Sequence, residues 1–347
     1  KAGLAYHPMN TGYKKSEIAH MLADAAPTII VCDPQLESIV ESVVSRANTP
    51  TILTLDKEGA GGLTEDIRSY PDNFSITHCA KDDMAALLYS SGTTGKPKGI
   101  ILTHKNLSSN AAALSKAWNF TPKDVLLHAL PIYHVHGLFI ALGPALMTGA
   151  AITWLEKFEA QSVIQSLEKC SVMMGVPTYY TRLLDSGLVN SERCRSMRLF
   201  ISGSAPLRPE TFMEFKTRSG HTILERYGMT ETGINTSNPL LGRRQAGTVG
   251  QALPGVTVRI TDENGKILKP GETGNLQVKG ENVFAGYWNM PEKTSEDFTS
   301  DGFFSTGDIA SIDEQNYVSI VGRSKDMIIS GGLNIYPREI ELVIDEI

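Results

Sequence analysis

Apolar strand-like segments alternate with amphipathic helical segments from residue 13 to residue 203, and this alternation restricts the fold more than any other feature. The first unit has a helical period that Ser16 opens, followed by the run TIIVC after Pro27, which we expect to be a buried strand. Strands that alternate with helices predict parallel sheets covered by helices. The remaining segments of this pattern are a helix at Gln35–Ala47, a strand at Thr51–Leu55, MAALLYS (84–90), a helix at Asn106–Trp118, DVLLHALP (124–131), AAITWL (150–155) and MRLFISG (197–203).

The sequence pattern changes near Asn235 from alternating strands and helices to short strand-like stretches. From Gly242 to Tyr317 the chain is punctuated by glycine and has short alternating stretches such as VTVRITD and GNLQVKG. These stretches predict antiparallel strands joined by tight turns, one of them at Asn264-Gly265. We therefore predict an α/β protein with two α/β lobes of mainly parallel sheets and a β-rich subdomain. The predicted boundaries are 1–240 for the lobes, 241–324 for the β-rich part and 325–347 for the start of a further unit.

Composition excludes several classes of protein. A chain of 347 residues is long enough for more than one core, and a formal charge of −6 gives no general attraction to nucleic acid or to an anionic membrane. The longest apolar runs fall short of the ~20 residues that a membrane span needs, and no signal peptide is visible. Cys32, Cys79, Cys170 and Cys194 are scattered without CxxC spacing, which favours free thiols in a reducing, cytoplasmic location.

The segment YSSGTTGKPKGI (89–100) directly follows the predicted strand MAALL. Its hydroxyls, its unencumbered backbone N–H groups and its two lysines could surround a polyphosphate. The segment is not a Walker A loop, because only two residues separate Gly92 from Gly95 and because Lys96 precedes Pro97. The alternative is a polar surface turn.

This segment resembles the signature loop of adenylate-forming enzymes, which include acyl-CoA synthetases, luciferases and peptide-synthetase adenylation domains. Further motifs of that superfamily follow in its order and approximate spacing. The resemblance covers essentially the whole chain and implies the large domain of an acid–CoA ligase, in which the β-rich part is a distorted barrel. The motifs are LPIYHVHG (130–137), ISGSAPL (201–207), ERYGMTET (225–232), GYWNMPEKT (286–294), DGFFSTGD (301–308) and GRSKDMIISGGLNIYPREIE (322–341).

The resemblance implies a reaction in two halves. A carboxylate attacks the α-phosphate of ATP to give an acyl-adenylate and pyrophosphate, and the thiol of coenzyme A then displaces AMP. Such chemistry depends on positioning two anions and neutralising their charge. The resemblance implies Mg²⁺ held by Glu231, with Thr94 near the metal, although Glu231 could instead be a solvated turn carboxylate. The residues implied to hold the phosphates are Ser90, Ser91, Gly92, Thr93, Thr94, Gly95, Lys96, Pro97 and Lys98.

The same resemblance implies a nucleoside site. Asp308 is similar to the ribose-binding aspartate of the superfamily and Arg323 to a second ribose and phosphate contact, while Lys325 occupies the hinge position. Asp308 could alternatively cap the turn after Gly307. The residues implied to surround the adenine are Ser204, Ala205, Pro206, Tyr227 and Gly228, and Thr230 is implied to be a further nucleotide-binding residue.

Unusual residues stand at the acyl positions. Arg226 could hold a second carboxylate through two hydrogen bonds, and His134, His136 and Ser202 could support it, which favours malonate or methylmalonate as the substrate. The alternatives are a salt bridge of Arg226 with Glu225 or Glu231, and histidines that are merely structural. A zinc site would need further ligands that the sequence does not supply.

The catalytic lysine of the superfamily lies beyond the hinge, and this chain stops before it. Both ends of the chain, which starts without Met, look cut. We therefore expect ATP and malonate binding by these residues, with adenylation reduced by orders of magnitude. The alternatives are a ligase for another acid, or a nucleotide-binding scaffold or sensor without turnover.

Overall fold

A computed structural model describes residues 2–44, 49–71, 73–90, 97–326, 328–330, 333–335 and 344. Its contacts divide the chain into two compact units, Lys1–Ala80 and Lys81–Ile347. The sequence-based boundaries at 240 and 324 stay predictions. In the part of the chain that the structure describes, no helix is long and apolar enough to cross a membrane.

The first unit is a two-stranded parallel sheet with helices. Its elements are α1 (Lys15–Ala25), β1 (Ile29–Cys32), a 3₁₀ turn (Pro34–Leu36), α2 (Glu37–Val43), β2 (Thr51–Thr54) and α3 (Gly62–Ile67). The predicted helix Gln35–Ala47 is thus a 3₁₀ turn followed by α2, and residues 45–48 lie outside the described residues.

The predicted burial of strand TIIVC is wrong for most of the strand. Ile30 is buried and packs with Ile18 and Leu22 of α1 and Val40 of α2. Ile29 and Val31 point to the other face and are 46% and 48% exposed. Successive side chains of a strand alternate between faces, so a strand covered by helices on one face buries only every second residue.

The second unit contains the remaining elements. The strands are β3 (Met84–Ser90), β4 (Lys98–Thr103), β5 (Val125–His128), β6 (Ala151–Trp154), β7 (Val172–Gly175), β8 (Leu199–Ser202), β9 (Leu224–Met229), β10 (Gly233–Ser237), β11 (Gln251–Ala252), β12 (Val256–Thr261), β13 (Thr273–Gly280), β14 (Gly286–Tyr287), β15 (Phe304–Ile312), β16 (Val318–Arg323), β17 (Ile328–Ser330) and β18 (Leu333–Ile335). The helices are α4 (His104–Ala117), a π-helical segment (His136–Ala141), α5 (Leu142–Thr148), α6 (Ala160–Ser166), α7 (Pro177–Asp185), α8 (Pro209–Ser219) and α9 (Pro291–Asp297), with 3₁₀ turns at Leu167–Lys169 and Ser324–Asp326.

A seven-stranded sheet in the order β11-β10-β9-β8-β7-β5-β6 forms the centre of this unit. The five strands from β6 to β9 are parallel, and β10 and β11 are antiparallel additions at one edge. Two apolar clusters, one with Phe200 and Phe215 and the other with Trp118 and Leu126, pack on the sheet. The predicted α/β class with mainly parallel pairing is confirmed.

The β-rich part contains an antiparallel sheet in the order β12-β13-β15-β16 and a three-stranded sheet β14-β4-β3. A shared apolar cluster that includes Leu102, Val278 and Phe304 packs between them. The predicted turn at Asn264-Gly265 is present, with Gly265 at φ +79°. In the described residues the four strands form an open sheet, so the distorted barrel implied by the resemblance is not closed.

Strand β9 and its turn into β10 position the candidate site. Ser202 at the end of β8 pairs with Glu225, so β9 continues past the end of its parallel neighbour. Gly228 permits the close return of β10, since a Cβ there would lie 1.9 Å from the carbonyl oxygen of Gly233. Asn110 of α4 bonds both backbone groups of Ile234 and fixes this turn against the helix. Residues 226–232 therefore overhang the carboxyl edge of the parallel sheet.

Candidate active site

Four buried polar side chains lie at the carboxyl edge of the parallel sheet or beside it. His128 is the last residue of β5, Ser202 is the last of β8, and Arg226 lies on the overhanging part of β9. His136 begins the π-helical segment, close enough to Arg226 and His128 for their charges to influence it. Their exposed fractions are 1%, 1%, 3% and 6% in the order named. Ligands of open α/β sheets bind at this edge, so the position itself indicates a site.

Arg226 is a buried cation without a carboxylate partner among the residues that the structure describes. Its Nε and Nη2 atoms have no hydrogen-bond partner there. The guanidinium lies against the backbone of Gly203, where a Cβ would be 2.5 Å from its Cζ. Burial lowers the pKa of Arg226 to about 10, so the group stays charged at neutral pH. The alternative of a salt bridge with Glu225 or Glu231 is therefore not formed in this part of the chain.

Glu225 differs from its neighbour Arg226 in that burial favours its neutral form. Burial raises the pKa of this carboxyl group to about 8, and a backbone hydrogen bond at Gly247 opposes the rise. Successive residues of a strand face opposite sides, so Glu225 points away from the face that Arg226 lines.

The two predicted histidines of the YHVHG motif take different positions. Nδ1 of His136 lies 3.1 Å from Oγ of Ser204, and its Nε2 has no partner among the described residues. Burial and the charge of Arg226 hold the pKa of His136 well below its usual value, so the imidazole is neutral. His134 is exposed and packs against Tyr133, with ring centroids 4.7 Å apart and ring planes tilted by 54°. The structure thus brings His136, and not His134, next to Arg226.

His128 is a site-lining residue that the sequence reasoning missed. Neither ring nitrogen has a partner in the described part of the chain, and burial lowers its pKa to about 4. Its ring centroid lies 4.6 Å from that of Trp154 on the neighbouring strand. The sequence placed His128 inside the predicted strand DVLLHALP (124–131), and only the observed end of β5 at His128 brings it to the edge where parallel strands end.

A second polar group forms around Asp308. Nε of Arg323 lies 2.8 Å from one carboxylate oxygen, and the hydroxyl of Tyr227 donates to the other oxygen. Asp308 and Arg323 face each other in the register of β15 and β16. Burial raises the pKa of Asp308, and the charge of Arg323 opposes that rise. The carboxylate of Asp308 therefore interacts with Tyr227 and Arg323 and does not cap the turn after Gly307.

The predicted adenine walls belong to two segments, residues 204–206 after β8 and Tyr227 with Gly228 on β9. Residues 204–206 are exposed, and Ser204 has a left-handed backbone with φ +71°. Tyr227, Gly228 and Thr230 are half-buried along β9 and its turn.

Glu231 is buried at the turn between β9 and β10, with 5% exposure, so it is not a solvated turn carboxylate. Its carbonyl oxygen accepts a hydrogen bond from the backbone N–H of Phe284, and Asn282 donates to the carbonyl of Thr232. Burial raises its pKa, and the charges of Lys98 and Arg323 oppose that rise. Glu231 forms no ion pair with any residue that the structure describes.

The candidate phosphate loop joins two paired strands. Ser90 at the end of β3 lies opposite Lys98 at the start of β4, and Pro97 precedes Lys98. The predicted loop residues Ser91, Gly92, Thr93, Thr94, Gly95 and Lys96 lie outside the described residues. Lys325, the predicted hinge, lies exposed in the 3₁₀ turn after β16.

A bound Mg²⁺ is compatible with these residues. No cluster of three metal-ligating side chains is present in the described ranges. Mg²⁺ binds through one or two carboxylates together with substrate phosphates, and does not need such a cluster. Glu231, buried and without a cation of its own, fits that requirement.

Comparison with known proteins agrees with this geometry. Residues 1–288 match the AMP-binding enzyme family. The chain belongs to that family. It is 34% identical to a malonate–CoA ligase of Arabidopsis thaliana over 98% of this chain and 59% of that protein. The chain spans about three fifths of the length of the curated relatives it matches, 60% of one and 59% of another.

Solved structures of the AMP-binding family superpose closely. ATP-bound MatB of Rhodopseudomonas palustris matches with a TM-score of 0.96 and 49% identity, covering 99% of this chain and 68% of that one. A malonyl-CoA ligase in a ternary product complex with methylmalonyl-CoA and AMP matches with a TM-score of 0.78 and 36% identity, covering 99% and 72%. The resemblance to adenylate-forming enzymes is thus confirmed for fold and family.

Proposed function

We propose that the protein containing this chain is an ATP-dependent acid–CoA ligase that forms malonyl-CoA through an acyl-adenylate and releases AMP and pyrophosphate. Family membership and the two malonate-handling relatives support the reaction class. The observation that carries the choice of acid is the buried guanidinium of Arg226, which has no carboxylate partner among the described residues.

An unpaired buried cation is expensive in free energy, so a partner of opposite charge is needed when the site functions. A dicarboxylate supplies that partner with its second carboxylate while its first one reacts. A hydrogen bond to a charged group contributes roughly 1.5–3 kcal/mol, and a monocarboxylate would leave the guanidinium unpaired. Polar sites of this kind reject analogues that lack the matching group more strongly than apolar pockets do.

Neighbouring side chains complete the proposed anion site. Oγ of Ser202 and Nε2 of His136 are buried and have no partner in the described residues. If Ser204 donates to Nδ1 of the neutral His136 ring, Nε2 carries the proton and is a donor. Arg226 and His136 then supply donors for one carboxylate, in a space too buried for water to compete freely. Ser202, the last residue of β8, lies at the same edge of the sheet and is the further candidate donor.

We assign the nucleotide to the face that carries Tyr227 and Asp308. A carboxylate has about four lone-pair sites, and Asp308 uses two of them for Tyr227 and Arg323, so it can still accept the ribose hydroxyls. Lys98 and the loop from Ser90 to Lys98 would hold the phosphates. Glu231 would hold Mg²⁺, which neutralises charge on the polyphosphate when it is bound.

The reaction then proceeds in two displacements. A malonate oxygen bonds to the α-phosphorus while the bond to the bridging oxygen breaks and pyrophosphate leaves. The sulfur of coenzyme A, having lost its proton, next bonds to the acyl carbon, and AMP leaves with the carbon–oxygen bond electrons. The described residues contribute positioning and charge stabilisation to the first step, and no lysine of this chain is assigned the role of the catalytic lysine.

Acid-dependent ATP–pyrophosphate exchange with the complete protein tests this proposal. The panel contains malonate, methylmalonate, succinate, acetate and hexanoate, with the wild type and Arg226→Ala. We expect malonate to be preferred, with methylmalonate accepted, and the variant to lose about 100-fold in kcat/KM for malonate, with a much smaller change for acetate. An equal loss for malonate and acetate would exclude the dicarboxylate site.

We also infer a cytoplasmic location. The four cysteines are free thiols, two of them buried, and none is paired with another. Fractionation of cells that express the complete protein from its own gene tests this inference, and recovery from an organelle would contradict it.

A further inference from the structure

Tyr287 connects two predicted parts of the phosphate and metal site that lie far apart in sequence. Strand β14 pairs with β4, and Tyr287 lies opposite Ile100. The Nζ atom of Lys98 lies 4.4 Å from the centroid of the Tyr287 ring. Gly99 permits the close approach of the β14 segment to β4, because a Cβ there would be 2.8 Å from the Cβ of Trp288. The ring of Tyr287 therefore contacts the ammonium group of Lys98, the last residue of the candidate phosphate loop.

The other end of the same side chain meets two carboxylates. Burial raises the pKa of the Tyr287 hydroxyl, and the charges of Glu231 and Asp297 together with hydrogen bonding to both carboxylates add to that rise. Asp297 is held in turn by Lys293 at 2.8 Å. Phe284 packs against the Tyr287 ring with centroids 4.8 Å apart, and its backbone N–H bonds the carbonyl of Glu231. The 5% exposure of Tyr287 shows that this arrangement is enclosed.

These contacts differ from those of a tyrosine that only fills a core. Tyr180 is completely buried, and its hydroxyl donates to the backbone carbonyl of Ile201 at 2.6 Å. Tyr287 instead has an ammonium group over its face, and the carboxylates of Glu231 and Asp297 act on its hydroxyl. A cation over an aromatic face and a phenol beside a carboxylate are both attractive, and both attractions strengthen in a site shielded from water.

We propose that Tyr287 is a positioning residue that holds Lys98 on its ring and Glu231 on its hydroxyl, and so fixes the separation between a phosphate-binding cation and the carboxylate of the Mg²⁺ site. The proposal rests on the function proposed above for Glu231 and Lys98. It adds a residue that no motif of the phosphate loop contains. Its two contacts can be removed one at a time, because phenylalanine keeps the ring and loses the hydroxyl.

The test is the equilibrium binding of ATP to the complete protein, measured by titration calorimetry across a series of Mg²⁺ concentrations with no acid present. Turnover does not contribute under these conditions. For Tyr287→Phe we expect ATP binding without Mg²⁺ to stay as in the wild type, while the Mg²⁺ concentration for half-maximal enhancement rises about 10-fold. For Tyr287→Leu we expect the same rise together with a loss of about 3-fold in metal-free ATP binding.

Tyr317→Phe is the matched control, since it also removes a tyrosine hydroxyl hydrogen bond, here to the carbonyl of Arg243. It should leave both quantities unchanged. Thermal unfolding of each variant separates a general loss of folding from the expected effect, and Tyr287→Phe still decides the matter if Tyr287→Leu fails to fold. A wild-type Mg²⁺ dependence in Tyr287→Phe would overturn the role of Tyr287 and leave the ligase proposal intact. No Mg²⁺ enhancement in the wild type would instead overturn the assignment of Glu231, and this inference with it.

Discussion

Arg226 and Tyr227 are consecutive residues of strand β9, but their electrostatic surroundings are opposite. On the proposed acyl side, Arg226 is buried with a charge that no carboxylate of the described chain neutralises. On the proposed nucleotide side, Tyr227 donates a hydrogen bond to Asp308, which is also paired with Arg323. Arg226 and Asp308 are both buried, yet the charge of Arg226 has no partner in the described chain and that of Asp308 has one.

The difference indicates what each side contributes. A preformed ion pair holds its geometry before ligand arrives, so its residues should affect folding and nucleotide binding together. An unpaired buried charge lowers the stability of the ligand-free protein and is compensated only by a ligand of opposite charge. Selectivity should therefore concentrate on the acyl side.

The largest expected effect comes from Arg226→Met, which replaces the unpaired cation by an apolar side chain of similar length. We expect kcat/KM for malonate to fall about 100-fold. The free energy of unfolding of the ligand-free protein should rise by about 1 kcal/mol, because a buried charge without a partner is removed. Exchange kinetics and urea unfolding check the two parts. A lower free energy of unfolding would mean that Arg226 has a partner within the protein, and Arg226 would then not differ from the paired Asp308.

The next effect is expected for Asp308→Asn, on the paired side. The change removes the ion pair with Arg323 and weakens the bond with Tyr227. We expect a loss of about 2 kcal/mol in the free energy of unfolding, less than for a fully buried pair because the Arg323 side chain is 42% exposed. ATP affinity, measured by calorimetry, should fall about 10-fold.

Asp301→Asn is a matched control for this change. Asp301 also forms a salt bridge with an arginine, Arg259, at 2.6 Å, but its side chain is 54% exposed. We expect almost no change in stability and none in ATP affinity. An equal loss in both variants would show that burial does not distinguish the Asp308 pair.

The sequence predicted the alternation of strands and helices, the strand that precedes the loop, and Arg226 and His136 as residues of one site. It could not separate His134 from His136, because residues two apart share a face in a strand but diverge where a π-helical segment begins. The role of Tyr287 was also out of reach. It depends on the pairing of β14 with β4, which joins segments nearly two hundred residues apart and has no local pattern.

The face of β9 opposite Arg226 gives a third case, in which Glu225 avoids an unpaired charge by taking up a proton. Its folded pKa of about 8 lies above the ordinary value of 4.5. Its stabilisation is therefore complete below about pH 4.5 and is lost progressively up to about pH 8, since the unfolded state ionises first. We expect wild-type stability to fall relative to Glu225→Gln across this window, by at most about 1.4 kcal/mol per pH unit. Urea unfolding at several pH values measures the difference, and parallel curves for the two proteins would contradict it.

The smallest effect is expected for Ser202→Ala and tests how much of the acyl side depends on Arg226 alone. Oγ of Ser202 is buried at the end of β8 without a partner in the described residues, next to the glycine that the guanidinium contacts. If it donates to the second carboxylate of malonate, its loss should reduce kcat/KM for malonate about 5-fold, the equivalent of one neutral hydrogen bond. ATP binding should not change, because the hydroxyl is proposed to serve the acid and not the nucleotide. In the Arg226→Met background the Ser202→Ala change should have a smaller effect on kcat/KM, because the second carboxylate is then no longer held. Such non-additivity distinguishes a shared anion site from two independent contacts. Full additivity would assign Ser202 to another part of the substrate.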